Sequence, residues 1–361
     1  MIFYSMAFTT AFHLYIYWKL RAAFGSGRWI LFFWGSFAVI SAFLAAHYHK
    51  FWGGGRFFEV FFALAFTEFV VAGMLCAVFV LTEIFKGFLF LWDKAAKTHV
   101  ESLVTPRRAA VFSLAFVFCA VVYGYYEAWN VREVHAVVPT GKLPLGTGRL
   151  RIVQLSDVHI GGLYPIRHLE RVMEMVRAAE PDIFVITGDL ADGDMTDRRR
   201  EAALLAGHGA RHGAFAVVGN HEYYVGLEQS IAFMERAGLT VLYDQAAEAA
   251  GIVIFGLDDL TTVWPVSLRA VEGRFTLLLK HRPQVLKTSR GKFDLQLCGH
   301  THGGQLWPIG PLQEKFQRFV QGLSKDGERF VYVSNGTGYR SAPLRIFAPP
   351  EVTVIDLVPA L

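Results

Sequence analysis

The sequence predicts an α/β domain preceded by a group of apolar helices. Residues 1–130 are dominated by Phe, Ala, Val, Leu and Trp, whereas residues 149–361 are richer in charged residues and punctuated by Gly and Pro. In the second part short apolar strands alternate with helical patterns, as in α/β domains with buried sheets. Residues 131–148 are predicted to form an extended linker. The chain is therefore expected to hold an all-α transmembrane domain, 1–130, and a globular domain, 149–361.

The composition fits one membrane part and one globular part. At 361 residues the chain is long enough for two domains, and 53% hydrophobic residues with 32 phenylalanines are high for one soluble protein. The net charge of +4, without a basic stripe beside exposed aromatic residues, gives no indication of nucleic-acid binding. Cys298 is the only cysteine of the globular part, so no disulfide can form within it.

Four apolar segments approach or exceed the ~17–25 residues that a helix needs to cross a bilayer. The predicted spans are residues 2–18, 29–47, 57–82 and 109–126. A cleaved signal peptide is the alternative for the first, but its N-terminus has no basic residues and no clear cleavage site. His13 and Glu68 lie inside spans, where a hydrogen bond between helices is favoured over a transport role. The spans are thus predicted to anchor the protein.

The distribution of Lys and Arg predicts the side on which the globular domain lies. Short loops rich in basic residues mark the cytoplasmic face of a membrane. The second loop holds only Lys50 and Arg56. The first and third loops hold Lys19, Arg21 and Arg28, and Lys86, Lys94, Lys97, Arg107 and Arg108, respectively. Loops one and three are therefore expected in the cytoplasm, and the globular domain on the extracytoplasmic side.

Five apolar strands of the globular part are each followed by polar residues of the kind that bind metals. Ligands of α/β sheets bind beyond the carboxyl ends of the strands, so these residues are expected to meet. The strands and following residues are Leu150–Leu155 with Asp157 and His159, Ile183–Ile186 with Asp189, Phe215–Val218 with Asn220 and His221, Phe275–Leu279 with His281, and Leu295–Leu297 with His300 and His302. Helices are predicted at about 165–179, 198–207 and 227–237.

The C-terminal part predicts strands that close a second sheet. They are Phe330–Val333, Leu344–Phe347 and Val352–Val358, and the Gly-rich turn 335–338 is placed at the active-site edge. Asp258 and Asp259, after another strand, are expected to form a turn. The aromatic residues near these motifs are expected in the core, with a lipid-facing lip as the less favoured alternative; they are Trp307, Phe316, Phe319 and Tyr339.

Seven candidate ligands indicate two metal ions rather than one. Seven oxygen and nitrogen donors exceed the needs of one tetrahedral ion, and Asp189 is the natural bridge of a pair. Imidazole and carboxylate donors without thiolate favour Mn, Fe or Zn. Two ions ~3.5–4 Å apart can activate a water and hold the oxygens of an in-line phosphoryl displacement. The candidate metal ligands are Asp157, His159, Asp189, Asn220, His281, His300 and His302.

His221 and Asp189 are the candidate catalytic residues. His221 follows Asn220 directly, so it can lie near the ions without binding them. There it could protonate the leaving oxygen or stabilise charge on the phosphate. Glu222 and Asp192 are expected to support the site or form turns rather than bind metal.

Together these motifs resemble the calcineurin-like metallophosphoesterase superfamily. They are Asp157-x-His159, Gly188-Asp189, Gly219-Asn220-His221-Glu222, His281 and Gly299-His300-Thr301-His302, in order within about 149–358. The runs 156–159, 188–193, 299–305 and 335–338 are similar to the membrane-associated bacterial branch. Lys280 departs from the pattern, since a small residue is common before this histidine.

The resemblance implies a fold and a division of the ligands. The fold is a four-layer α/β sandwich, two mixed β-sheets flanked by helices. One metal would be held by Asp157, His159, Asp189 and His302, and the other by Asp189, Asn220, His281 and His300. His221 would be the catalytic acid.

The expected function is that of a membrane-anchored hydrolase with two divalent metal ions that cleaves a phosphodiester or a lipid-linked phosphate. Membrane spans favour a membrane lipid as substrate. A cytoplasm-facing lipid-linked nucleotide pyrophosphohydrolase is the alternative enzyme, and it requires the opposite topology. A non-enzymatic membrane receptor with a structural metal site is the alternative of another class, and the intact His221 argues against it.

Overall fold

The computed structural model of the protein describes residues 2–25, 27–28, 35, 56–161, 164–269, 271–289 and 291–360. It divides into two compact units, Met1–Gly124 and Tyr125–Leu361. The division falls inside the last predicted span, 109–126, because the final turn of that helix groups with the globular part.

Three long helices precede the globular part among the described residues: α1, Ile2–Phe24; α2, Arg56–Ala96; and α3, Pro106–Trp129. Two segments of them are long and apolar enough to cross a membrane, Ala63–Ala96 and Pro106–Trp129. The predicted span 29–47 lies, apart from Gly35, outside the described residues. The described part of the chain therefore shows two candidate spans, where four were predicted.

The ionisable residues inside the first unit pair with each other, as the sequence favoured. His13 Nε2 lies 2.7 Å from Glu68 Oε1, which links α1 to α2. His13 Nδ1 lies 2.7 Å from the Thr9 carbonyl oxygen. Both polar residues thus have a structural explanation.

The second unit contains two six-stranded mixed sheets. The first has the order β1-β12-β2-β3-β4-β5 and the second β10-β11-β9-β8-β7-β6. The strands of the first sheet are β1 Arg132–Thr140, β2 Leu150–Leu155, β3 Ile183–Thr187, β4 Ala214–Val217, β5 Thr240–Val241 and β12 Glu351–Pro359. Those of the second are β6 Gln245–Ala249, β7 Ile252–Gly256, β8 Thr276–Leu279, β9 Leu295–Cys298, β10 Gly322–Asp326 and β11 Arg329–Val333.

Alternation along the strands forms the layers of this unit. In β3, Ile183 and Val185 enter the core between the two sheets, whereas Phe184 and Ile186 pack under helices on the outer face. The helices on that face are α4 Ile166–Ala178, α5 Arg199–Ala206 and α7 Leu227–Arg236, with ends within one residue of the predictions. Two shorter helices are α6 Asn220–Val225 and α8 Ile309–Gln313. The result is two mixed sheets flanked by helices.

Two strands differ from the expectation. Residues 132–140 of the predicted linker form β1, which pairs in parallel with β12 from Arg132↔Glu351 to Thr140↔Pro359. The C-terminal strand β12 lies in the first sheet, between β1 and β2, and not in the second. The alternation of apolar and polar residues along a strand indicates which of its faces is buried. It does not identify the strands that pair with it.

The predicted strand Leu344–Phe347 was wrong, since only an isolated bridge joins Leu306 to Ile346. The prediction of buried aromatic residues was correct for Phe319 and Tyr339, which are 8% and 6% exposed. It was wrong for Trp307 and Phe316, which are 58% and 86% exposed. The apolar character of a side chain does not by itself show whether the side chain is buried in the core or exposed on the surface.

Candidate metal centre

The loops after five strands converge at one border of the two sheets. Strands β2, β3 and β4 are parallel to one another, as are β8 and β9, so each set ends at one edge of its sheet. His281 Nδ1, just after β8, lies 2.9 Å from the Thr187 carbonyl oxygen at the end of β3. The His300 N–H donates to both carboxylate oxygens of Asp157, at 3.1 and 3.0 Å. We call this joint border the site edge.

Five candidate ligands have left-handed backbone conformations directly after the strand ends. Residues other than Gly rarely adopt a positive φ, and each such residue costs on the order of 1–3 kcal/mol of conformational free energy. The residues are Asp157 (φ 51°), His159 (54°), Asp189 (52°), His300 (72°) and His302 (52°). Such conformations persist where the surroundings hold them and cluster at functional sites.

Two glycines let the backbone approach the candidate ligands. A Cβ atom on Gly299 would overlap Ser156 Oγ and Asp157 Oδ2, and one on Gly219 would overlap Asp189 Oδ1. Both glycines are therefore required by close approach rather than by flexibility. They bring β9 to the Asp157 loop and β4 to the Asp189 loop.

Asp157, His159 and His302 form one buried group whose ligand atoms face each other. His302 Nε2 lies 3.3 Å from Asp157 Oδ1 and 3.2 Å from His159 Nε2. Burial lowers the pKa of His159 to about 3, with the nearby His221 acting in the same direction. A neutral imidazole offers a lone pair, so this group can hold a cation.

Asp189, His281 and His300 form a second group. His281 Nε2 lies 3.3 Å from Asp189 Oδ2 and 3.0 Å from His300 Nδ1. Although burial opposes ionisation of Asp189, the charge and hydrogen bond of His281 hold its pKa well below the ordinary value. Asp189 also lies with His159 and His221 in a third group. This third group therefore connects the first two, through His159 on one side and Asp189 on the other.

Asn220 completes the set of candidate ligands. Its side chain is 6% exposed, and its Oδ1 is buried without a hydrogen-bond partner among the described residues. A buried amide oxygen left unpaired costs free energy, which a cation at this position would offset. Mixed carboxylate, imidazole and amide donors, arranged in adjoining groups, fit two divalent ions.

His221 lies beside the groups and is oriented by Asp192. Its Nδ1 lies 2.9 Å from Asp192 Oδ1, and its backbone N–H donates to Asp189 Oδ1 at 2.8 Å. Burial lowers its pKa, but the hydrogen bond to Asp192 and the charge of Asp189 outweigh burial and raise the pKa overall. His221 Nε2, 4.0 Å from Asp189 Oδ2, is therefore the atom that faces the site and can carry a proton.

Glu222 holds two of the strand-end loops together. Its carboxylate accepts hydrogen bonds from the backbone N–H groups of Asp189 at 3.0 Å, Ala191 at 2.9 Å and Gly219 at 2.6 Å. Burial, together with the charge of Asp189, raises its pKa to about 7. Glu222 thus supports the site through the backbone, in agreement with the sequence interpretation.

Arg345 was missed by the sequence reasoning. Its guanidinium is fully buried and donates to the carbonyl oxygens of Gly338 at 2.9 Å, Ala348 at 2.8 Å and Asn335 at 2.9 Å. It also lies 3.2 Å from His302 Nδ1. The signal in the sequence is a single arginine inside an otherwise apolar segment, which was interpreted as a strand.

The Gly-rich turn after β11 lies at the site edge, as predicted. The Thr337 N–H donates to the Ser156 carbonyl oxygen at 2.7 Å, and the Gly338 N–H donates to that of Asp157 at 3.0 Å. Asp259, in the predicted turn, accepts from Arg282 Nε at 2.9 Å. These contacts fix the backbone around the candidate ligands.

The chain is similar in sequence to a known protein family and to several proteins of it. Residues 150–304 match the family model for the calcineurin-like phosphoesterases. An Aquifex aeolicus protein named uncharacterized metallophosphoesterase is 35% identical over 259 residues, 67% of this chain and 98% of that protein. A Danio rerio protein named transmembrane protein with metallophosphoesterase domain is 33% identical over 69% of this chain and 63% of that protein. A Bacillus subtilis protein named uncharacterized metallophosphoesterase YkuE is 31% identical over 64% of this chain and 87% of that protein.

Proposed function

Because the chain belongs to the calcineurin-like phosphoesterase family and is a metal-dependent hydrolase, we propose that it is a membrane-anchored enzyme with two metal ions that cleaves a phosphodiester or a lipid-linked phosphate. The observation that carries the proposal is the set of three adjoining Asp and His groups, with Asp189 in two of them, one of which also contains His221. A single structural ion would not need a shared carboxylate and an adjacent oriented histidine.

The proposed ligand sets follow the two groups. Asp157, His159, Asp189 and His302 would hold one ion, and Asp189, Asn220, His281 and His300 the other. Mn, Fe or Zn suit these donors. When bound, the ions supply Lewis-acid activation of water and neutralise charge on the phosphate.

The protein's own residues supply proton transfer and orientation. His221, protonated at Nε2, donates this proton to the leaving oxygen as the bond to phosphorus breaks. Asp192 keeps the other ring nitrogen of His221 protonated and fixes the ring plane. Asp157 and Asp189 stay ionised, and Glu222 holds the Asp189 loop against the Gly219 turn.

The membrane part of the proposal rests on two described helices that could cross a bilayer and on relatives named as transmembrane proteins. We propose that 2–18 and 29–47 add two further spans and that the globular part faces the extracytoplasmic side. The bias of Lys and Arg toward loops one and three supports this orientation.

The enzymatic proposal is tested by hydrolysis of bis(4-nitrophenyl) phosphate with Mn²⁺ and the full-length protein in detergent. We expect Asp189→Ala to abolish turnover and His221→Ala to lower it by about 10²–10⁴-fold. Exposed residues of the same types, Asp197→Ala and His212→Ala, are the matched controls. Undiminished turnover in both site variants would exclude this mechanism, and no turnover in the unmodified protein would favour a receptor.

Orientation is tested separately with a thiol at an exposed position. Leu145→Cys in a Cys119→Ser background should react in intact cells with a maleimide that does not cross membranes, because Leu145 is fully exposed. Reaction only after cell lysis would place the domain in the cytoplasm. That result would support a cytoplasm-facing lipid-linked nucleotide pyrophosphohydrolase.

A further inference from the structure

The loop after β9, which carries His300 and His302, continues into a segment that exposes large apolar side chains. The exposed fractions are 58% for Trp307, 43% for Ile309, 48% for Leu312 and 86% for Phe316. This segment, residues 306–318, begins four residues after His302, and we call it the aromatic loop. Single exposed apolar residues are ordinary, but a run that includes Trp and Phe marks a surface that contacts another apolar phase.

A second apolar loop leaves the same edge. Residues 257–269 follow β7, and Leu260, Val263 and Val266 in it are 64%, 62% and 92% exposed. Strand β7 is parallel to β8, which is parallel to β9, so the carboxyl ends of all three lie together. We call this segment the valine loop. Both loops therefore begin at the site edge, where the candidate metal ligands lie.

Basic residues accompany the apolar ones. Arg269 in the valine loop and Lys315 in the aromatic loop are exposed, and Glu314 is the only acidic residue between 306 and 318. The two acidic residues of the valine loop, Asp258 and Asp259, are buried and accept hydrogen bonds from Tyr223 and Arg282. Trp and Phe combined with Lys and Arg are typical of segments that enter the interfacial region of a membrane with anionic lipids. An interface with a second protein would not require the basic residues.

The end of a candidate membrane helix lies near the same edge. The ring of Trp129, the last residue of α3, is 5.5 Å from the ring of Tyr339 and 5.0 Å from that of His168. Tyr339 follows Gly338, whose N–H donates to the Asp157 carbonyl oxygen. The last turn of α3, which groups with the globular unit, therefore lies beside the loops that surround the site.

We propose that the site edge docks on the bilayer surface, with the aromatic and valine loops in the lipid interface, and that the substrate is a lipid whose phosphate ester reaches the site from the membrane. The substrate part of this inference rests on the phosphohydrolase function proposed above. The apolar loops bury their side chains among lipid tails, the basic residues pair with headgroups, and the polar ligands between them receive the phosphate.

Docking is tested by photocrosslinking of the full chain in nanodiscs of phosphatidylcholine and phosphatidylglycerol. The photoreactive residue p-benzoylphenylalanine replaces Phe316 or Val266, and for the control it replaces Leu145. Leu145 is fully exposed but precedes β2, so it lies away from the carboxyl ends of the strands. We expect mass spectrometry to show phospholipid adducts at 316 and 266, at least about fivefold above position 145.

Other adducts would overturn the docking proposal. Crosslinks from 316 and 266 to another segment of this chain would show that the protein itself covers the loops. Crosslinks to a second copy would identify a dimer interface. Equal lipid adducts at all three positions would show nonspecific contact.

The consequence for the substrate is tested by comparing two rates in each variant. One is hydrolysis of a phospholipid in vesicles, and the other is hydrolysis of bis(4-nitrophenyl) phosphate in solution. The ratio of the first rate to the second should fall about tenfold in Phe316→Ser/Val266→Ser and stay unchanged in Leu145→Ser. An unchanged ratio in the double variant would overturn the proposal.

The two proposals fail in different ways. If the unmodified protein hydrolyses neither ester, the proposed function fails, while the crosslinks still decide whether the loops meet lipid. If it hydrolyses the soluble ester but no phospholipid, the inference about the substrate fails and the phosphohydrolase stands.

Discussion

Asp192 and Glu222 are both acidic and both lie beside candidate ligands, yet their surroundings give them different roles. The Asp192 side chain is 16% exposed and accepts a hydrogen bond from the His221 ring. Glu222 is fully buried and accepts backbone N–H groups from two loops. One carboxylate therefore orients a side chain that can transfer a proton, whereas the other holds the backbone that carries Asp189.

Replacement of Asp192 by Asn should impair catalysis without loss of the bound metal ions. The variant keeps a side chain of similar shape but removes the charge that holds the His221 ring. We expect kcat to fall by about 10–100-fold, the usual effect of losing such a partner. Metal content by elemental analysis should stay at the level of the unmodified protein. Asp194→Asn, an exposed neighbour, is the control, and an equal loss of activity in both variants would contradict the assignment.

Arg345 is a residue on which stability depends. Arg345→Met would leave the carbonyl oxygens of Gly338, Ala348 and Asn335 without their donor in a buried region. Each buried group left unpaired costs about 1–3 kcal/mol. The midpoint of thermal unfolding of the globular part should therefore fall by about 5–10 °C. Arg340→Met, at an exposed position of the same turn, should change it by less than about 2 °C.

At the scale of the elements, strand ends rather than helices position the candidate ligands. A short parallel strand leads to each loop, and left-handed residues then turn the side chains toward the border of the two sheets. The glycines within these loops remove the side chains that would keep the loops apart. The geometry of the site is thus a property of loop backbones on a rigid sheet scaffold.

Gly299→Ala tests this dependence on the backbone. A methyl group there overlaps Ser156 Oγ and Asp157 Oδ2, so β9 or the Asp157 loop must move. We expect at least about a tenfold loss of activity on the soluble ester with weaker Mn²⁺ binding, which elemental analysis after dialysis would measure. Gly148→Ala is the matched control because its Cβ would meet open space. A fully active Gly299→Ala protein would show that the close approach is not required.

At the scale of the whole molecule, each described unit has its own kind of core. The first unit packs apolar helices, and its polar pair joins His13 to Glu68. The second packs two sheets face to face, with the candidate ligands from both sheets at a single border. Because this border gathers buried carboxylates and imidazoles and leaves Asn220 Oδ1 without a hydrogen bond among the described residues, bound cations would stabilise the second unit.

Metal removal should therefore destabilise the globular part. We expect EDTA to lower the midpoint of its thermal unfolding and excess Mn²⁺ to restore it, since a ligand at 100 times its dissociation constant contributes about 2.7 kcal/mol. The Asp189→Ala protein should respond several-fold less, because it lacks the carboxylate that we propose as a ligand of both ions. Identical responses of the two proteins to EDTA would argue against ions bound at Asp189.

The sequence by itself determined the features that depend on local pattern. The ends of the three longer helices of the globular part could be placed within one residue, because the apolar period and the flanking turn residues are local signals. The order and type of the candidate ligands were also visible, because each follows its own strand directly. Their convergence at one border could be predicted because parallel strands end together.

Only the tertiary structure decided which distant segments meet. It placed β12 between β1 and β2, buried Arg345 against the loop carbonyls, and paired Asp192 with His221. It also left Trp307 and Phe316 exposed although their composition favours burial. The reason is that periodicity and composition give the face and the polarity of a side chain, whereas its partner across the fold depends on long-range packing.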